Sequence, residues 1–150
     1  LFGYVRLSLR EMIRYRAPRL LIEADGDRLE VLPFVLTFAN GPQYGSGAVI
    51  NPGAKLDDGM LEVVVFEGGP LWRTLVAAPR LFLGGLERSA GYRRLAGASA
   101  TVTAAQPVEL HCDGDPGPAV SRIEVGLVPG GLEVFVPAAA AGDPRGPFSG

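Results

Sequence analysis

The stretch Lys55-Leu56-Asp57-Asp58-Gly59-Met60-Leu61-Glu62-Val63-Val64-Val65-Phe66 decides how this chain folds. Its second half, Leu61 to Phe66, is a β-branched run that reads as a strand. Its first half sets two adjacent carboxylates before a glycine and reads as a tight turn feeding that strand. Glycine frees the backbone to bend and expose its carbonyls, so the same turn could seat a hard, oxygen-loving cation such as Mg²⁺. Taken locally, the ordinary inter-strand turn is the stronger reading, because Asp and Gly suit turn geometry anyway.

Working outward, the segment Asn40-Gly41-Pro42-Gln43-Tyr44-Gly45-Ser46-Gly47 marks residues 41 to 60 as a long loop, with a short strand at Ala48 to Ile50. Before it, Leu20 to Ala24 alternates with period two, Asp25-Gly26 supplies a hairpin turn, and Leu29 to Asn40 resumes as extended chain. Pro33 makes the middle of that stretch an edge or a bulge. Residues 2 to 15 read as a helix, with Arg6, Arg10 and Arg14 in an i, i+4 stripe, ended by Pro18. That stripe reads as a solvated face, or one docked on another domain, ahead of a seat for anionic headgroups.

After the decisive strand, Gly68-Gly69-Pro70 opens a second helix, since proline fits the first helical position. Leu71, Leu75, Val76, Phe82, Leu83 and Leu86 give it one apolar face, and Pro79 kinks it. Core packing accounts for Trp72, Phe82 and Leu86 better than a lipid-binding groove does. Short strands follow at Tyr92 to Leu95, Ala100 to Ala104, Val108 to Cys112, Ser121 to Val128 and Leu132 to Val136, the last two flanking a Pro129-Gly130-Gly131 turn. Residues 138 to 150 have little to bury and read as a disordered tail. The fold class is therefore mainly β, an antiparallel β-sandwich or distorted barrel with one N-terminal and one inserted helix.

At 150 residues, 47% apolar, 20% charged and with net charge −2, the composition is that of one ordinary globular domain. There is no basic excess to make nucleic acid the main partner. Cys112 is the only cysteine, which excludes an intramolecular disulfide and a multi-thiolate zinc site and favours a reducing, cytoplasmic setting. No apolar run approaches the roughly 20 residues that span a bilayer. Leu1 leads straight into a helical pattern, so the sequence reads as a piece of a longer protein.

A second carboxylate cluster, His111-Cys112-Asp113-Gly114-Asp115-Pro116, ends the expected strand Val108 to Cys112. Alternation would turn Cys112 toward the core, with His111 and Asp113 on the solvent face. Two carboxylates around a glycine could orient a substrate hydroxyl and take its proton, although Asp-Gly-Asp also suits a plain hairpin turn. His111 reads as a solvent-facing strand residue and Cys112 as an inert packing group.

Taken in order, Asn-Gly, Tyr, Gly-x-Gly, Pro-Gly-Ala-Lys-Leu-Asp-Asp-Gly-Met-Leu-Glu-Val-Val-Val, a helix, and Val-Glu-Leu-His-Cys-Asp-Gly-Asp-Pro, the chain resembles the C-terminal half of the bacterial diacylglycerol and sphingosine lipid kinase family over residues 1 to 137. The resemblance implies a β-sandwich second domain. It also implies that the Gly-Gly-Asp-Gly-Thr domain that binds ATP is absent from this sequence. It implies a Mg²⁺ site made by the Asp58 side chain and the backbone carbonyls of Lys55 and Met60. Asp115 falls where the family has its general base, normally glutamate, and Asp113 would orient it; Asn40 and Tyr44 would face the cleft between domains. Aspartate keeps the carboxylate and loses one methylene of reach, so geometry is what changes.

The implied function is the lipid-binding and acid/base half of an ATP-dependent lipid kinase acting on diacylglycerol or a sphingoid base, inactive without its nucleotide domain. The expected partners are a lipid substrate and the inner face of a membrane, with a homodimer left open. A noncatalytic β-sandwich module that binds lipid or protein is the alternative.

Overall fold

A computed structural model describes residues 15–141, 143 and 146–148. The helix expected over 2 to 15 therefore lies outside the described residues, apart from Tyr15.

Two antiparallel sheets face each other. Strands β1 (Leu20–Ala24), β2 (Asp27–Val31), β8 (Ser99–Val108) and β11 (Val120–Gly126) form the first, in the order β11-β8-β1-β2. Strands β3 (Pro33–Ala39), β6 (Leu61–Glu67) and β7 (Tyr92–Gly97) form the second, in the order β3-β6-β7. The sheets are open, so the sandwich and not the barrel is the architecture. Their shared core is Leu20, Ile22, Val31, Val63, Val65 and Val102 with small residues between. Each strand supplies its inward positions at period two, which is why Ile22 and Val102 are buried and their sequence neighbours less so.

β6 breaks that alternation because it is buried from Leu61 through Phe66. Val63 and Val65 enter the core between the sheets, while Val64 and Phe66 enter a second core with Ala39, Ile50, Ala77 and Leu86. A central strand covered on both faces reads as a continuous apolar run. The second cover is made by helix α1 (Leu71–Ala77), helix α2 (Arg80–Leu83), a 3₁₀ turn at Leu86–Arg88, and the loop over residues 50 to 60. The α1–α2 break falls at Pro79, which has no N–H to donate to the preceding turn. Pro33 opens β3, an edge strand, and the register against β6 shifts there.

Three expectations are corrected. The strand expected at Ala100 to Ala104 runs on unbroken to Val108 as β8, whereas Val108 to Cys112 is no single strand: the chain leaves the sheet at Glu109-Leu110, and only His111 and Cys112 are extended again, in a separate ribbon. Pro107 within β8 is tolerated because β8 has by then outrun β1, whose last pair joins Leu20 to Ala104. Leu132 to Val136 forms no strand: the turn before it closes through the Gly131 N–H on the Val128 carbonyl, but residues 132 to 135 are exposed and the segment pairs with no strand among the described residues. Finally, Trp72 and Phe82 are 61% and 64% exposed, so of the three residues assigned to core packing only Leu86 is buried. At the other end of the chain, Ala138–Ala141 makes one helical turn, α3.

Candidate functional site

The outer face of the second sheet carries a polar cluster beneath the loop that holds Asp57 and Asp58. Glu62, Val64 and Phe66 point to this face of β6, and β7 sets Arg94 opposite Val64 and Tyr92 opposite Phe66. Tyr92 and Arg94 reach up to the loop. The Tyr92 hydroxyl donates to the Ile50 carbonyl at 3.1 Å, and Arg94 Nη1 donates to Asn51 Oδ1 at 3.4 Å.

Beneath them, Asn51 is 0% and Glu62 only 5% exposed. Burial raises the pKa of the Glu62 carboxyl, contact with Asn51 opposes that, the Asp58 charge adds to it, and Arg94 opposes it again. Asn51 Nδ2 and Glu62 Oε2 are both shut from solvent, with no hydrogen-bond partner among the described residues. A group left in that state typically costs about 1–3 kcal/mol. This cluster is where the domain departs from pure packing.

Above it, the Met60 N–H donates to Asp58 Oδ1 at 2.9 Å, so the carboxylate closes its own turn. The glycine-rich segment is drawn to the same place. The Ile50 and Asn51 N–H groups both donate to the Pro42 carbonyl at 3.1 Å, and a Cβ at Gly41 would stand 2.9 Å from Leu56 Cδ2. Asn40 thus follows β3 directly and is exposed beside the loop at Leu56, and Tyr44 is exposed in the two-stranded ribbon of β4 (Gln43–Gly45) and β5 (Ala48–Val49). The C-terminal segment meets the loop from the other side. Lys55 Nζ donates to the carbonyls of Gly146 and Phe148 at 2.6 and 2.9 Å, and the Leu56 N–H donates to the Pro147 carbonyl at 2.7 Å.

Around Asp58 the turn offers oxygen atoms alone, the donor type that a hard cation takes. One exposed carboxylate and the carbonyls of Lys55 and Met60 are oxygen donors only, and among the described residues no group of three or more His, Cys, Asp or Glu could hold a metal. A set this sparse suits an ion that keeps several of its own waters, as Mg²⁺ does.

Asp113 and Asp115 lie elsewhere in the topology. Strands β9 (His111–Cys112) and β10 (Asp115–Pro116) form a separate two-stranded ribbon in which Asp115 pairs with Cys112. Its turn is Asp113-Gly114, with φ of 51° and 94°; two consecutive positive values match the hairpin turn whose twist suits paired strands. Both carboxylates are exposed. His111 is exposed as expected, but so is Cys112, which lies in this two-stranded ribbon and not in a strand of either main sheet.

Sequence reasoning missed Asn51, Glu62, Tyr92 and Arg94. One signal was available: Glu62 is the only charged residue in the run Leu61 to Phe66, where an acid has to be buried or has to end the strand.

Over residues 2–136 the chain matches the model of the YegS C-terminal NAD kinase beta sandwich-like domain. The chain belongs to this family. Among solved structures, it is similar to a "putative diacylglycerol kinase" from Bacillus anthracis str. Sterne, at 18% identity and TM-score 0.60 over 81% of this chain and 43% of that one. It is also similar to a structure from the same organism titled a diacylglycerol kinase, at 17% identity and TM-score 0.52 over 78% of this chain and 40% of that one. At that identity the likeness carries the fold. The chain spans less than half the length of these structures. No curated protein is a significant match.

Proposed function

We propose that this domain is the lipid-side half of an ATP-dependent kinase that phosphorylates a lipid hydroxyl, with diacylglycerol or a sphingoid base as the substrate class. Membership of a kinase-derived family supports a kinase parent. The observation that carries the reading is the Asp57-Asp58-Gly59 turn, whose Asp58 charge acts on the buried Glu62 and whose loop is tied to the sheet at Ile50 and Asn51 by Tyr92 and Arg94 and lies at Leu56 against Gly41.

In this reading Asp58 and the carbonyls of Lys55 and Met60 hold Mg²⁺, which supplies neutralising charge for phosphoryl transfer. Asp115 takes the proton of the attacking hydroxyl, Asp113 orients it, and Asn40 and Tyr44 face the lipid headgroup. ATP phosphates are held outside this chain. Phosphoryl transfer depends mainly on positioning and electrostatics, so a turn fixed from below suits the task better than a free loop.

The test is a full-length protein incubated with Mg²⁺-ATP and a panel of lipid alcohols. Phosphorylation of at least one is expected. Normal Mg²⁺-ATP binding with no phosphorylated lipid would instead support a noncatalytic lipid- or protein-binding module, which the aspartate at position 115 favours.

A further inference from the structure

The helical cover of the second sheet is apolar on its outside as well as its inside. Ala77 is buried on the inner side of α1, with Leu71 and Thr74 partly covered. The opposite stripe is Trp72, Leu75 and Val76, spaced i, i+3, i+4, and all three are more than half exposed. Ala78 and Pro79 keep helical backbone angles between α1 and α2, and Phe82 and Leu83 extend the exposed apolar surface, Leu83 at 85%. Isolated exposed apolar residues need no explanation, but five on one short helical unit do.

Charge identifies the occupant. The chain as a whole is net −2, yet residues 70 to 90 hold Arg73, Arg80 and Arg88 against Glu87 alone. Glu87 and Arg88 pair at 3.6 Å, which leaves Arg73 and Arg80 as the local excess. The Arg73 guanidinium lies 5.6 Å from the Trp72 ring centre, and Arg80 donates to Ser89 Oγ. The charge around this apolar face is of one sign, which complements an anionic surface. A bilayer with anionic headgroups selects both features: Trp settles at the interface, aliphatic and Phe side chains enter the acyl boundary, and Arg carries its charge back to the phosphates.

We infer that the α1–α2 unit, through Trp72, Leu75, Phe82 and Leu83 with Arg73 and Arg80, is the face by which this domain docks on an anionic lipid bilayer. The docking needs neither nucleotide nor phosphoryl transfer, so it stands or falls apart from the kinase reading.

The experiment is flotation of the full-length protein, without ATP, on vesicles of phosphatidylcholine alone or mixed with phosphatidylglycerol. Comparison with Trp72→Phe isolates quenching of Trp72 by brominated acyl chains. Binding to the mixed vesicles, quenching of Trp72, and loss of at least tenfold in partitioning for Trp72→Ser/Phe82→Ser/Leu83→Ser are expected. Arg73→Gln/Arg80→Gln should lose about fivefold per arginine and lose it only on anionic vesicles. Trp72, Arg73, Phe82 and Leu83 are exposed and Arg80 is half-buried, and unchanged thermal unfolding of the variants confirms the fold. Equal flotation of wild type and the triple-serine variant overturns the assignment. So does absence of flotation, or an effect of the triple variant on oligomeric state without an effect on vesicle binding, which would make the face a protein interface.

Discussion

Tyr92 on β7 holds Ile50 on the loop: the phenol hydroxyl donates to the Ile50 carbonyl at 3.1 Å across 42 residues of sequence. The bond ties the loop bearing Asp58 to the sheet beneath it, and Arg94, two residues along the same strand face, does the same through Asn51. Strand β7 therefore anchors the start of the loop, at Ile50 and Asn51, to the sheet.

Tyr92→Phe removes that bond and leaves the partly buried Ile50 carbonyl unmatched. Unfolding free energy from urea denaturation should fall by about 0.5–1.5 kcal/mol. A variant as stable as wild type would mean that the loop is held by packing alone.

Glu62 gives a pH prediction with a definite sign. Burial raises its pKa in the fold, so the folded state binds this proton more tightly than the unfolded one. Stability from the group is fully present below the unfolded pKa and is lost as pH rises through the folded value. With divalent cations chelated, Glu62→Gln should be more stable than wild type at neutral pH, and the difference should shrink on acidification. A variant less stable than wild type at neutral pH would show that Arg94 and Asn51 favour the charged carboxylate more than burial opposes it.

Ile22→Ala tests the sandwich itself. Ile22 is fully buried between the sheets, where truncation leaves a cavity costing about 2–5 kcal/mol. Urea unfolding reads this directly, and a loss below 1 kcal/mol would mean that the two sheets are not packed through this residue.

The elements that could be read from the sequence were those with local causes. The β1–β2 hairpin follows from alternation and Asp25-Gly26, and β6 from its β-branched run. What was hidden depends on partners. Residues 105 to 107, left between two expected strands, lie inside β8, and only the position of β1 shows why Pro107 is tolerated there. Leu132 to Val136 has strand composition but, among the described residues, no strand to pair with. The apolar periodicity of 71 to 86 was visible, yet periodicity alone does not say which apolar side of a helix meets the core. At the site, the Asp58 turn was legible because Asp and Gly speak for themselves, whereas the Tyr92–Ile50 and Arg94–Asn51 links join segments more than 40 residues apart.

Asp115→Asn separates proton removal from folding. Asp115 lies on an exposed ribbon outside both main sheets, so its amide should leave unfolding within about 0.5 kcal/mol of wild type. Lipid phosphorylation by the full-length protein should fall at least a hundredfold, within the range usual for a positioned base. Near-normal turnover would remove Asp115 from that role.

The most direct test of the central claim is calorimetric titration of Mg²⁺ into the full-length protein and its Asp58→Ala variant, with thermal unfolding measured in parallel. If the turn over the Asn51–Glu62 cluster is the cation seat, wild type binds Mg²⁺, the variant loses the heat assigned to that site, and the fold is retained. An Asp58→Ala titration identical to wild type would contradict it.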